Sequence, residues 1–261
     1  MSDSVVGLER EPSGLAVMTL DSPPLNVFDR RLMDDLSAAV RDVAAEPPRA
    51  LLVRADGRAV SAGVDVEVFS GLTPETGRAL WVELLELIAT VEELPAPVVF
   101  AAHALTLTAA FELALACDLI VASPKASFGL VEKVVGLTPS MGGTQRLAER
   151  AGSGRARQFV MSGGIFPAEE MERWGVVNEI YPVEEFEQRS RALAEELAAG
   201  PTRAHAMTKT VLKRFREGGI PAADEVIRTE AADLFATEDL QSAVKTFLEH
   251  GGPGHATFEG R

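Results

Sequence analysis

Short apolar runs closed by Gly and Pro alternate along this chain with longer stretches in which apolar positions recur every three or four residues. Residues 15–20 predict a strand ended by Asp21-Ser22-Pro23-Pro24. Residues 29–45 predict a helix with Leu32, Leu36, Val40 and Val43 on one stripe. Residues 50–53 are apolar throughout, the pattern of a strand buried on both faces, and a Gly-containing loop follows over 55–65. Thr73-Pro74-Glu75 joins an N-cap residue to a first-turn proline and opens a long helix with Leu80, Leu84, Leu87 and Val91 inward. Pro97 starts the next strand, 97–101, where a missing N–H is tolerated. A helix over 109–117, strands over 119–122, 127–131 and 176–181, and helices from Thr144 and Gly154 continue the alternation, which argues for the α/β class. From 183 to 249 the pattern is helical alone, broken at Gly200-Pro201, Gly218-Gly219 and Thr237. A strand-rich core over 1–182 and a helical C-terminal region over 183–261 are therefore expected, with no flexible linker and no internal repeat.

Composition narrows the possibilities. The 261 residues are 46% hydrophobic and 25% charged, as in a soluble globular protein. No apolar run approaches the roughly 18 residues of a membrane span, and Met1-Ser2-Asp3-Ser4 has no basic segment leading into an apolar one, so a cytoplasmic protein is expected. The single cysteine, Cys117, excludes an internal disulfide and reads as a buried thiol. A formal net charge of -14 argues against nucleic acid as partner, although a few local cations could still hold a small anion. Ser140 has Thr138 rather than Gly two residues before it, so there is no nucleophile elbow. No dinucleotide or phosphate-loop glycine pattern and no paired Cys/His spacing appears, so neither metal nor separate cofactor is expected. His103, His205, His250 and His255 are scattered and read as turn or surface residues.

Two carboxylates stand out. Glu112 is the lone charge in an apolar helical stretch that ends at Cys117-Asp118. Glu132 leaves a short apolar strand, and after it come a Gly/Pro turn and a Gly142-Gly143-Thr144 step that opens a helix. Such a pair reads either as members of buried ion pairs or as acid–base groups for an uncharged carbon substrate.

Four blocks carry a resemblance. They are Arg58 to Asp65 with its Ser61-Ala62-Gly63-Val64-Asp65; Pro97 to Asp118, ending Glu112-Leu113-Ala114-Leu115-Ala116-Cys117-Asp118; Phe128 to Leu147 with its Gly142-Gly143-Thr144-Gln145-Arg146-Leu147; and Ala168 to Pro182 with its Trp174-Gly175-Val176-Val177-Asn178. In these blocks, and in the tail Phe258-Glu259-Gly260-Arg261, the chain resembles the crotonase superfamily of enoyl-CoA hydratases and isomerases. The resemblance implies a spiral of ββα units, a C-terminal helical region used to form a homotrimer or a dimer of trimers, and an acyl-CoA thioester as substrate. Coenzyme A would then be part of that substrate. It also implies an oxyanion hole made by the N–H groups of Val64 and Ala109, with Glu112 orienting and activating water and Glu132 exchanging a proton with the α-carbon. Arg58, Ala62, Val64, Asp65, Thr108 and Gly136 fall where the family contacts substrate. The expected reaction is hydration of a 2-enoyl-CoA; the alternatives are double-bond isomerisation or another enolate-forming reaction, or a catalytically weak acyl-CoA-binding protein.

The residues agree with this reading and also depart from it. Thr108 reads as an N-cap, which makes Ala109 the first helical residue, its N–H unpaired at the positive end of the helix. The family usually has Asn-Gly and a run of three glycines where this chain has His103-Ala104 and Thr108-Ala109-Ala110, and usually a lysine where Glu67 stands. The CoA phosphates would then fall to Arg58, with Lys209 and Lys213 as further candidates. Trp81, Phe69, Met141 and Trp174 either line an acyl pocket or fill the core. Val226, Leu234, Val244 and Leu248 form apolar positions in the helical tail that call for a partner or for the chain's own core.

Overall fold

The computed structural model describes residues 4–252 and 254–261. Its first strands, β1 (Val6–Arg10) and β2 (Leu15–Leu20), pair antiparallel and lead into α1 (Arg30–Ala45), whose N-cap Asp29 accepts the Leu32 N–H at 2.8 Å. Then come β3 (Ala50–Ala55), a 3-10 turn (Val66–Phe69) and α2 (Pro74–Glu92), which starts on reciprocal hydrogen bonds between Thr73 and Thr76 with Pro74 in the first turn. Next are β4 (Val98–Ala102), β5 (Leu105–Leu107), α3 (Ala109–Ala116), β6 (Leu119–Ala122), β7 (Ser127–Gly129) and a second 3-10 turn (Glu132–Val135). The elements α4 (Gly143–Ala151), α5 (Ser153–Ser162), β8 (Ile165–Pro167), α6 (Ala168–Arg173) and β9 (Glu179–Ile180) close the strand-bearing part. Helices α7 (Phe186–Ala199), α8 (Thr202–Thr229) and α9 (Glu238–His250) follow, with a 3-10 turn (Ala231–Ala236) before the last.

The chain winds as a spiral. One stack is the six-stranded sheet β1-β2-β3-β4-β6-β9, parallel from β2 onward. The other is β5-β7-β8, extended by isolated parallel bridges Ser61↔Thr106 and Phe28↔Val64. Successive turns place one strand in each stack and then a helix, so equivalent positions of neighbouring turns lie side by side. The apolar strands are buried on both faces, as their unbroken pattern requires. Met18, Leu51, Val53, Val98, Phe100 and Ile120 face the main core, while Val17, Leu52, Val99, Ala101 and Val121 face Phe186, Ala194 and Ala198 of α7.

Two expected strands shorten, and the expected helix break is present. The strand expected over 127–131 ends at Gly129, because Leu130 and Val131 turn into the 3-10 segment that carries Glu132. That expected over 176–181 shortens to Glu179–Ile180, since Trp174 to Val177 fold back with N–H groups on carbonyls of α6. The break at Gly218-Gly219 is a kink between two helices merged as α8, where Gly219 takes φ 68° and Pro221 begins the second. Among the described residues no helix is long and apolar enough to cross a membrane.

Candidate active site

The second stack brings the two expected N–H donors together. Ser61 donates to Asn26 O at 2.6 Å, accepts the Gly63 N–H at 3.0 Å, and exchanges backbone bonds with Leu105 and Leu107. The segment holding Gly63 and Val64 therefore runs beside the one holding Thr108 and Ala109. Phe28 bonds to Gly63 O and to the Asp65 N–H, so the intervening Val64 N–H points away from it, toward Thr108. Ala109 is the first residue of α3, with no turn before it to accept its N–H. Among the described residues neither N–H meets an acceptor.

Thr108 occupies the N-cap position but does not cap. It has φ 47° and ψ -119°, a conformation that favours glycine, and this turns its hydroxyl away from the first helical N–H groups. The Oγ1 atom is buried without any partner and lies 3.1 Å from where a Cβ on Gly63 would stand. Strain of this kind typically costs about 1–3 kcal/mol, and an unmet buried hydroxyl a similar amount. The expected N-cap is thus corrected: the Thr108 carbonyl accepts the Glu112 N–H, but its side chain serves the space beside Gly63.

The two glutamates are held differently. Glu112, 3% exposed, rises from the first turn of α3 into the loop before α4. Its Oε2 accepts the N–H groups of Gly143 at 2.7 Å and Met141 at 2.9 Å, and its Oε1 that of Ser140 at 3.3 Å. A Cβ at residue 143 would lie 2.7 Å from Glu112 Cγ, so this cradle requires glycine. Burial pushes the Glu112 carboxyl up to about 7; the three N–H groups pull it down, and the nearby Glu132 charge pushes it up. Glu132 opens its 3-10 turn, and both its carboxylate oxygens are buried with no hydrogen-bond partner. Burial pushes it, too, up to about 7. Among the described residues neither glutamate belongs to an ion pair, so of the two readings open in the sequence the geometry favours the acid–base pair.

The other expected residues divide. Ala62 is half-buried and gives its N–H to Leu25 O at 3.0 Å. Asp65 starts the 3-10 turn by accepting the Glu67 N–H at 3.0 Å. Gly136 ends the Glu132 turn with φ 77° and faces open space. Arg58 is exposed beside Gly57, the residue whose carbonyl His103 contacts. Lys209 and Lys213 are not available as expected: Lys209 bonds Asp118 at 2.8 Å and Ala96 O, and Lys213 bonds Glu93 at 2.5 Å. These pairs wall a cavity of about 720 Å³ between α8 and the ends of α2 and α3, a place that neither glutamate lines. Met141 is buried in the core, and Trp174 meets Phe159 edge-on and Phe166 at a tilt, under Arg155. Phe69 and Trp81 pack on each other with ring centres 6.0 Å apart.

Sequence reasoning missed the Ser140–Gly143 cradle. The Gly142-Gly143 step was visible as a helix start, but the Gly143 N–H, with those of Ser140 and Met141, finds its anion on a residue 28 to 31 positions earlier. It also missed Arg146, which bonds Gly142 O at 3.3 Å and Glu92 at 2.7 Å and so braces the same turn.

Together, the two-stack spiral and the helices that follow it define a protein of crotonase fold. The chain belongs to the enoyl-CoA hydratase/isomerase family, whose profile matches residues 10–259. It is similar to a short-chain-enoyl-CoA hydratase of Clostridium acetobutylicum and to a crotonyl-CoA hydratase of Syntrophomonas wolfei. Each is 27% identical over 93% of this chain and 94% of the relative. The crystal structure of an enoyl-CoA hydratase of Mycobacterium smegmatis superposes with a TM-score of 0.90 at 25% identity, over 97% of this chain and 99% of that one.

Proposed function

We propose that this protein is a 2-enoyl-CoA hydratase, adding water across the double bond conjugated to the thioester. The observation that carries the reading is the difference between its two glutamates. Three N–H groups favour the ionised form of Glu112, whereas at Glu132, whose two carboxylate oxygens are buried without a hydrogen-bond partner, only its own backbone N–H opposes the effect of burial, and the protonated form is favoured. With both pushed to about 7, the pair holds one proton near neutral pH. Glu112 then takes a proton from water as the hydroxyl adds to the β-carbon, and Glu132 gives its proton to the α-carbon. Transfer of the proton from Glu112 to Glu132 resets the site. The charge that reaches the thioester oxygen is met by the N–H groups of Val64 and Ala109, each worth about 3 kcal/mol of transition-state stabilisation in comparable sites.

The proposed reaction draws only on these groups and the CoA that the substrate carries, with Arg58 as the cation for its phosphates. The acid-rich surface and this ligand fit a protein of the cytoplasm. A homotrimer, or a dimer of trimers, is the proposed assembly. Leu212, Phe215, Ile227, Phe235, Val244, Phe247 and Leu248 of the C-terminal helices are exposed, whereas Val226 is buried on its own chain and cannot serve as the contact the sequence suggested. The test is incubation with crotonyl-CoA, read as loss of enoyl absorbance. Turnover of an unconjugated 3-enoyl-CoA without hydration would identify an isomerase instead. Binding of both thioesters without turnover would leave an acyl-CoA-binding protein.

A further inference from the structure

We infer that the Thr108 hydroxyl is a third hydrogen-bond donor to the thioester oxygen, beside the N–H groups of Val64 and Ala109; the inference rests on the hydratase reading above. Thr108 immediately precedes Ala109, and its Oγ1 lies against Gly63, which immediately precedes Val64. The hydroxyl is therefore held against the segment that carries one backbone donor by the residue that precedes the other. It is buried, and it bonds to nothing in the protein.

Two ordinary explanations fail. Helix capping is absent at this residue. Filling space beside Gly63 would be served as well by valine, which has the same shape and no polar atom to desolvate. The backbone makes the choice more pointed, because φ 47° suits glycine and resists any β-branched residue. A position that accepts both penalties in a site of this kind is one where the polar atom acts. What threonine offers that glycine and valine do not is a proton donor.

The chemistry fits the reaction coordinate. A thioester carbonyl oxygen has two lone pairs, which two N–H groups can fill; the enolate oxygen has a third. A third donor is then matched most fully as charge develops, so its effect falls on kcat more than on KM. Aiming the proton of this hydroxyl needs only rotation about the Cβ–Oγ1 bond and moves no backbone.

The test compares wild type with Thr108→Val and Thr108→Ser in steady-state hydration of crotonyl-CoA. A second readout is the infrared carbonyl band of bound butyryl-CoA labelled with carbon-13 at the thioester, a ligand that cannot be hydrated. Thr108→Val is expected to lower kcat about 10- to 100-fold with KM within about threefold, and to move the carbonyl band to higher frequency. Thr108→Ser is expected to restore most of the turnover and the band. If Thr108→Val does not fold, Thr108→Ala provides the same comparison. Wild-type kcat and an unmoved band in the folded variant would overturn the third donor and leave the two-donor hydratase standing. A wild type that binds butyryl-CoA but does not hydrate crotonyl-CoA would overturn the hydratase reading, and the band shift alone would then decide whether the hydroxyl touches the carbonyl.

Discussion

Glu112 and Glu132 share a side chain and a raised pKa but differ in the donors around them, and the same substitution tells them apart. Glutamine at either position removes the proton-transfer group and is expected to lower kcat at least about a hundredfold in the crotonyl-CoA assay. Stability separates them. In Glu112→Gln the amide oxygen can keep the Gly143 and Met141 N–H groups, but the NH2 must then face the Ser140 N–H, at a cost of about 1–3 kcal/mol seen in denaturant melts. Glu132 lacks these donors, so the effect of burial on its ionised form is opposed only by its own backbone N–H. The folded protein keeps a proton on Glu132 up to about pH 7, while the unfolded chain releases it near 4.5. Folding therefore takes up a proton between those values, and stability falls as pH rises through that window. Glu132→Gln should melt above wild type at pH 8, with the gap closing toward pH 4.5; a variant that melts below wild type at pH 8 would contradict the unpartnered carboxylate. Thr108→Gly should also melt higher. Relief of the positive φ and of the buried hydroxyl outweighs the roughly 0.5–1 kcal/mol of added chain entropy.

At the scale of elements, legibility followed continuity of pattern. Strands β3, β4 and β6 were plain because both faces are apolar, and α1 and α2 because cap residue and apolar stripe agree. Strand β1 was hidden by the polar residues an edge strand shows to solvent, and β5 and β8 by being three residues long. Such short strands exist only because a neighbouring turn of the spiral supplies their partners. The site followed the same rule. Both glutamates could be found as charges in apolar runs, and the positions of Val64 and Ala109 came with the motif blocks. The Thr108 backbone could not, since nothing local to a threonine announces a positive φ. The cradle depends on α4 starting against α3, so Gly143→Ala should push Glu112 out of register through a 2.7 Å contact. We expect that variant to lose more than about tenfold in kcat while its far-ultraviolet circular dichroism stays native, because one methyl displaces the carboxylate proposed to activate water without ending the helix.

At the scale of the whole molecule, the fold carries two kinds of surface. The strand-bearing part covers both faces of its sheet, the second with α7, whereas the kinked α8 and the helix after it leave large apolar side chains in solvent. Light scattering should accordingly give three, or six, times the 27.8 kDa chain mass, and Leu248→Glu, 75% exposed and touching no part of the site, should shift it downward. A monomer at micromolar concentration would refute that assembly. What the spiral does for the proposed chemistry is to lay one turn beside the next, so that Val64, Ala109, Glu112 and Glu132, spread over almost seventy positions of sequence, can serve the one site proposed above. The most direct test of that claim is the rate at which wild type, Glu112→Gln and Glu132→Gln remove the enoyl absorbance of crotonyl-CoA. The account predicts rapid loss with wild type and at least about a hundredfold slower loss with each variant. Equal rates in all three proteins would contradict it.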